Sequence, residues 1–441
     1  VKNLRTHGAR TAGDDYVPTN GNGGYGVDRY ELDLRYRVST NRLDGSATIH
    51  ATSTQQLERF TLDLSGLRVS KVKITGRRNT RFSQKPHKLV ISPDEAIDEG
   101  ESFVVVVDYA GSPSPRRSPW GDVGWEELTD GVLVAAQPSG APTWYPCNDW
   151  PGDKATYGIR FATDAAYTVV CNGELAAHHV SSGLGHWRYE QSQPTATYLA
   201  TVQIGRYTRT PVDLAGVPGT LAYPKAIEQR VLTDFAALAP MMDLFVARFG
   251  EYPFDGYSIV VTDDELEIPL EAQGLAIFGA NHADGHGVME RLVAHELAHQ
   301  WFGNSVGLSR WQDIWLNEGF ACYSEWLWSE HKGSTSADGL ARQYYRQLLG
   351  LPFDITVGNP GAEMMFDDRV YKRGALTLHA LRLTMGDRDF FDLLRAWVAT
   401  HRDGTVTTDD FRALATTFTQ MPLDRLFQGW LFELPLPHLP A

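Results

Sequence analysis

A chain of 441 residues with 42% hydrophobic and 21% charged side chains carries enough apolar material for two domains and has an ordinary globular balance. Its formal charge of -14, from 40 basic against 54 acidic residues, repels phosphate backbones and anionic lipid, and no apolar run reaches bilayer-spanning length, so nucleic acid and membrane partners are not expected. Only three cysteines, Cys147, Cys171 and Cys322, are present, which favours a reducing, cytoplasmic setting; the chain begins at Val1 without methionine, so secretion after loss of a leader stays open.

Residues 1 to about 24 are polar and end in a glycine- and asparagine-rich run, Asn20 to Gly24, which reads as flexible turn: nothing apolar precedes it, as a phosphate-binding loop would require. From Tyr30 the pattern has period two, with Tyr30, Leu32, Leu34 and Tyr36 alternating with charge. Short apolar or alternating runs follow at Phe60 to Leu64, Val69 to Ile74, Lys88 to Ile91, Phe103 to Tyr109, Leu133 to Ala136, Tyr157 to Phe161, Tyr167 to Cys171 and Tyr198 to Ile204. This predicts an all-β domain over residues 1–205.

After about residue 206 a helical period is expected, in Ile227, Val231, Phe235, Leu238, Met242 and Phe245, with Pro240 a candidate kink. Tyr257 to Thr262 reads as a buried strand, and His282 and His286 as loop histidines without a fixed ligand geometry. Next comes Val293 to Trp328, which holds His295, Glu296 and His299 as H-E-x-x-H and, after eighteen intervening residues, Glu318.

Residues four apart on a helix share a face, so His295 and His299 can each aim one nitrogen at a single ion. Two histidines and a carboxylate with one open position describe a catalytic zinc site, and Glu318 supplies the carboxylate from a second helix that begins after a break at Gly303 and Asn304. Glu296 lies about a hundred degrees round the helix from His295, in position to take a proton from water rather than to bind the ion. Cys322 and Glu325, four and seven residues beyond Glu318, fall on the same face; Cys322 reads as a small core residue and Glu325 as a support for the site.

His295 to Asn304 (HELAHQWFGN) and Asp313 to Ala321 (DIWLNEGFA) resemble the aminopeptidase N-type zinc metallopeptidases, a gluzincin family. The resemblance implies an α+β, multidomain chain: a β-rich saddle or sandwich domain, then a thermolysin-like mixed α/β zinc-peptidase domain over 206–441. It also implies a short form that lacks the further β-domain and helical domain of the larger relatives.

Carried onto matching positions, the resemblance gives Gln137 and Glu271 as substrate-binding residues for an amino terminus, and Tyr371, in Val370 to Leu376, as the donor to the transition-state oxyanion. Around Glu271 only Gly274 and Leu275 also match; Ile268, Pro269, Leu270 and Ala272 depart from the family's edge strand, and Pro269 lacks a backbone donor. The expected activity is zinc-dependent hydrolysis of the amino-terminal bond of peptides, with one Zn2+ per chain. Rival readings are a zinc endopeptidase or epoxide hydrolase on the same site, or a non-catalytic, zinc-stabilised peptide-binding protein. Oligomeric state has no signal in the sequence.

Overall fold

Alternation in the first half becomes sheet. Tyr30, Leu32, Leu34 and Tyr36 are buried from strand Tyr25–Arg37 of the computed structural model, which describes residues 6–440. That strand is central in a seven-stranded sheet, paired parallel with Ala155–Asp164 and antiparallel with Arg42–Ser53. A five-stranded sheet in which Gly131–Ala135 lies between Val202–Gly205 and Gly121–Leu128, and a three-stranded sheet of Phe60–Asp63, Lys88–Pro93 and Thr80–Gln84, complete this region.

The second half is helical around a mixed five-stranded sheet, in the order Tyr207–Leu214, Val217–Pro224, Tyr257–Val261, Leu275–Phe278, Leu270–Ala272. The three-residue edge strand Leu270–Ala272 turns back through Gly274, whose φ of +76° favours glycine. The architecture is therefore α+β, with a β-rich domain preceding a helical and mixed one.

The two regions meet through an apolar layer of Leu133 and Val170 from the first and Val260, Ala272, Leu275 and Ile277 from the second. This layer sets the end of strand Gly131–Ala135 against the edge strand. A buried lysine adds a polar pin: Lys154 Nζ donates to the carbonyls of Asn304 at 2.9 Å and Ser305 at 2.8 Å, and burial lowers its pKa to about 7. Amino-terminal β-structure is thus tied to the loop that follows the H-E-x-x-H helix.

Several expectations need correction. Strands do not end near residue 206: Tyr207–Leu214 and Val217–Pro224 form a hairpin in the second sheet, their apolar signal diluted by Pro211, Pro218 and exposed polar residues. Tyr198 is not in a strand, since Thr197–Leu199 is a 3-10 turn and the strand is only Val202–Gly205. Pro240 does not kink a helix. The chain breaks at 235–237, between helices Glu228–Asp234 and Leu238–Phe249, and Pro240 sits in the first turn of the second, where a missing N–H costs little.

The turn-rich stretch ending at Gly24 is also more embedded than its composition suggests. Asn20 and Asn22 are buried, Asn22 Nδ2 donates to Asp63 at 2.8 Å, and Asp14 accepts from the backbone N–H of Trp311 at 2.8 Å. Polar side chains that look like loop formers here satisfy buried partners across both regions.

Candidate metal and peptide site

Helix Glu290–Ala298 carries His295 and Glu296, and His299 caps its carboxy terminus. Helix Trp315–His331 carries Glu318 one turn from its start, after a break at Gly303 whose φ is +117°. The fold brings the three candidate ligands together: Glu318 Oε2 lies 3.5 Å from His295 Nε2 and 3.4 Å from His299 Nε2. A tetrahedral ion with ligand bonds of about 2.1 Å separates its ligand atoms by about 3.4 Å, so this buried trio fits zinc.

The far nitrogens are fixed as well. His299 Nδ1 donates to the carbonyl of Phe302 at 3.1 Å, and His295 Nδ1 lies 2.7 Å from Glu325 Oε1. A carbonyl can only accept, so His299 Nδ1 carries a hydrogen and Nε2 is the atom that faces Glu318, free to give its lone pair to an ion once its own proton is lost. Glu325 is held in turn by Arg291 Nη1 at 2.9 Å, one helical turn before His295. Cys322 is buried, with Lys372 Nζ 3.4 Å from its sulfur.

Without an ion the cluster balances its own charge. Burial alone would lower both imidazoles, but Glu318 and Glu325 outweigh it at His295, raised to about 9, and the charges of Glu318 and Glu271 do so at His299, raised to about 10. Burial would raise Glu318, yet the two histidines pull it down to about 2. Two cationic rings around one carboxylate stand in for a divalent charge.

Glu296 is different. It is 4% exposed, its Oε2 has no hydrogen-bond partner, and burial above all pushes its carboxyl up to about 7. An orphaned buried carboxylate oxygen is costly unless something enters to meet it. Its neighbours include Glu271 and His299, which with it form a second group able to converge on a point.

Gln137 and Glu271 come from opposite sides of the apolar layer and meet, Gln137 Nε2 donating to Glu271 Oε1 at 2.6 Å. Tyr371, on helix Asp368–Met385, stacks its ring at 16° to that of His295 with centroids 6.1 Å apart. Desolvation, then the carboxylates of Glu318, Glu271 and Glu296, hold its phenol well above the usual value, so it remains a donor. Gln137, Glu271 and Tyr371 are partly exposed, whereas the trio and Glu296 are buried, so the first three line the accessible side.

Sequence reasoning missed the supports of the edge strand. Gln300 Nε2 and Asn304 Nδ2 donate to the carbonyl of Ala272, at 3.2 and 2.9 Å, and Gly274 N–H donates to Gln300 Oε1 at 2.8 Å. Both side chains lie in the H-E-x-x-H segment, whose polar residues after the second histidine were the available signal. Arg291 was missed too, although it lies four residues before His295.

Model matches to known proteins agree with this arrangement. Residues 27–199 match the Peptidase M1 N-terminal domain and residues 236–430 the Peptidase family M1 domain. A mutant of the M1 zinc metallopeptidase of Deinococcus radiodurans, solved with a Tyr-Ser-Ala substrate, superposes with a TM-score of 0.90 at 30% identity, covering 97% of this chain and 99% of that one. The chain belongs to peptidase family M1. It is thereby an enzyme of the metallopeptidase class.

Other relatives of this M1 peptidase include the glutamyl aminopeptidase of Bos taurus, 24% identical over 93% of this chain and 47% of that protein. The leucyl aminopeptidase of Saccharolobus solfataricus is 24% identical over 82% of this chain and 48% of its own length. The chain thus spans about half the length of these aminopeptidases. Among the described residues no helix is long and apolar enough to cross a membrane.

One packing detail of the M1 centre has a direct test. The helices bearing Glu318 and Tyr371 touch backbone to backbone where Gly319 faces Gly374, and a Cβ on Gly374 would lie 2.9 Å from Gly319 Cα. Neither backbone can yield locally, so Gly374→Ala is expected to cost about 1–3 kcal/mol of stability and to lower kcat through displacement of Tyr371. Thermal melts beside steady-state kinetics measure both; an unchanged melt and rate would show that the helices can part freely.

Proposed function

We propose that this M1 peptidase is a zinc-dependent aminopeptidase, hydrolysing the peptide bond next to a free amino terminus. The domain boundary is placed near residue 205, between the β-rich domain that contributes Gln137 and the catalytic domain that contributes the rest. One zinc per chain would be held by His295, His299 and Glu318, a donor set and spacing that suit it. When bound, the ion supplies Lewis acidity, polarising a carbonyl and acidifying water.

The remaining work falls to side chains. Glu296 accepts the proton of the attacking water and passes it to the leaving nitrogen, a role suited by a carboxyl raised towards neutrality. Tyr371 donates to the developing oxyanion. Glu271 pairs with the substrate ammonium; its hydrogen bond from Gln137 Nε2 leaves the Gln137 side-chain oxygen as a further, neutral acceptor.

The observation that carries the exopeptidase reading is that 2.6 Å contact between Gln137 and Glu271, beside Glu296. An endopeptidase, an epoxide hydrolase or a non-catalytic peptide binder has no need of an ammonium anchor. The Tyr-Ser-Ala ligand of the Deinococcus enzyme is the substrate type this reading expects. Aminoacyl amides compared with their amino-acetylated forms provide the test: free amines should be cleaved and acetylated ones poorly, while equal turnover would remove the aminopeptidase claim.

Zinc binding should depend on pH. With His295 and His299 raised to about 9 and 10 in the metal-free protein, the ion displaces protons from both rings at neutral pH. Affinity is therefore expected to fall as pH falls, by up to roughly a hundredfold per unit between pH 8 and 6, with about two protons released per zinc. Competition titrations with a zinc indicator measure this; a flat profile would speak against ligation by the two histidines.

A further inference from the structure

On the amino-terminal domain, sharing no residue with the metal centre, a groove of about 490 Å³ opens over the sheet of Phe60–Asp63, Lys88–Pro93 and Thr80–Gln84. Arg10, Arg59, Arg81 and Lys85 line it, together with Ser83 and Ser92, and no Asp or Glu does. We infer that this groove is a binding site for a chain of linked phosphates, free or carried by a nucleoside.

The sheet register explains the clustering. Arg81 and Ser83 alternate along one strand and so share a face, and Lys85 follows directly after its end. Arg81 pairs with Ser92 across the ladder, and Arg59 directly precedes Phe60, whose strand flanks that of Ser92 on the other side. Arg59 and Arg81 thus reach the groove from strands on either side of the one carrying Ser92, two strand spacings or about 10 Å apart. Guanidinium groups on either side can each grip phosphate oxygens with two parallel N–H donors.

Charge makes the arrangement informative. The chain carries 14 more acidic than basic residues, yet among the described residues none of these four cationic side chains has an ion pair or side-chain hydrogen bond. Cations nearby are treated otherwise: Arg77 is paired with Glu101 at 2.7 Å and Lys88 with Asp63 at 2.5 Å. Converging unpaired cations repel one another, and a multivalent anion relieves that repulsion. The size of the groove and the negative field around it favour a compact anion over a nucleic acid strand.

The test is equilibrium dialysis of the zinc-loaded full chain against tripolyphosphate and, separately, ATP. Wild type is compared with an Arg59→Gln/Arg81→Gln double variant. Both proteins have the same metal centre, so anion held there contributes equally and the difference reports the groove. Wild type should bind about one equivalent, and the double variant, lacking two charge-assisted contacts, should bind roughly a hundredfold more weakly. Affinity should fall as salt rises. ATP binding that exceeds tripolyphosphate binding assigns a nucleotide; equal or weaker ATP binding assigns the bare polyphosphate. Peptidase turnover of the double variant serves as the check of its fold. No saturation of wild type by about 1 mM of either anion, or equal affinity in the double variant, overturns the site.

Discussion

Replacing Glu296 with Gln is expected to lower kcat by roughly a hundredfold to ten-thousandfold, the span usual for loss of a general acid-base group, while zinc content stays the same as in wild type. The amide matches the carboxylate in shape, and the ligand trio does not depend on it. Stability should move the other way from activity. Glu296 is held at about 7, above its unfolded value, so the ionised form is penalised by folding and the fold is burdened above the unfolded pKa. Glu296→Gln removes that burden, so its thermal midpoint should equal or exceed wild type near pH 8, with the advantage disappearing below about pH 4.5. Metal analysis, single-turnover kinetics and melts at the two pH values check this; retained kcat would exclude Glu296 as the base.

The second large effect concerns the amino terminus. An ammonium drawn into a partly dry cleft needs a paired charge, and deleting one member of such a pair costs about 2–5 kcal/mol. Glu271→Ala should therefore reduce kcat/KM for free-amine substrates by roughly thirtyfold to a thousandfold. Gln137→Ala, which removes a neutral acceptor and the donor that orients Glu271, should cost about tenfold to a hundredfold. Acetylated substrates, poor from the start, should change little in either variant. If Glu271→Ala proves indifferent to both substrate types, the hydrolase persists but its exopeptidase character does not.

The metal centre was legible because its parts are local. His295 and His299 are one helical turn apart, and Glu325 follows Glu318 on the same face by two turns, so helical period alone set their directions. Gln137 and Glu271 are 134 residues apart in sequence. Nothing in either local pattern says that they touch; the contact depends on two sheets facing each other across Leu133, Val170 and Leu275, and only the resemblance pointed to them.

Strand reading failed where one face is nearly all polar or prolines interrupt it. Glu174–Ser181 is almost wholly exposed and went unnoticed, as did Arg42–Ser53, where the small Ala47 and Ala51 interrupt the inward row of Leu43 and Ile49. The hairpin from Tyr207 to Pro224 was lost for the same reason. The edge strand Leu270–Ala272 is held through the carbonyl of Ala272 by Gln300 and Asn304 as well as by Ala272 packing in the apolar layer.

The contact of Gly319 with Gly374 has a wider meaning for how such a centre is inherited or transplanted. With no side chain between them, the two helices have a separation set by main-chain contact, so the carboxylate of Glu318 and the phenol of Tyr371 ride on what is effectively one rigid bracket. Substitutions elsewhere on either helix can alter the cleft walls without changing the spacing of these two groups. Substrate range can then drift while chemistry is preserved, and a designer grafting the centre onto another scaffold would need to copy two absent methyl groups before any ligand.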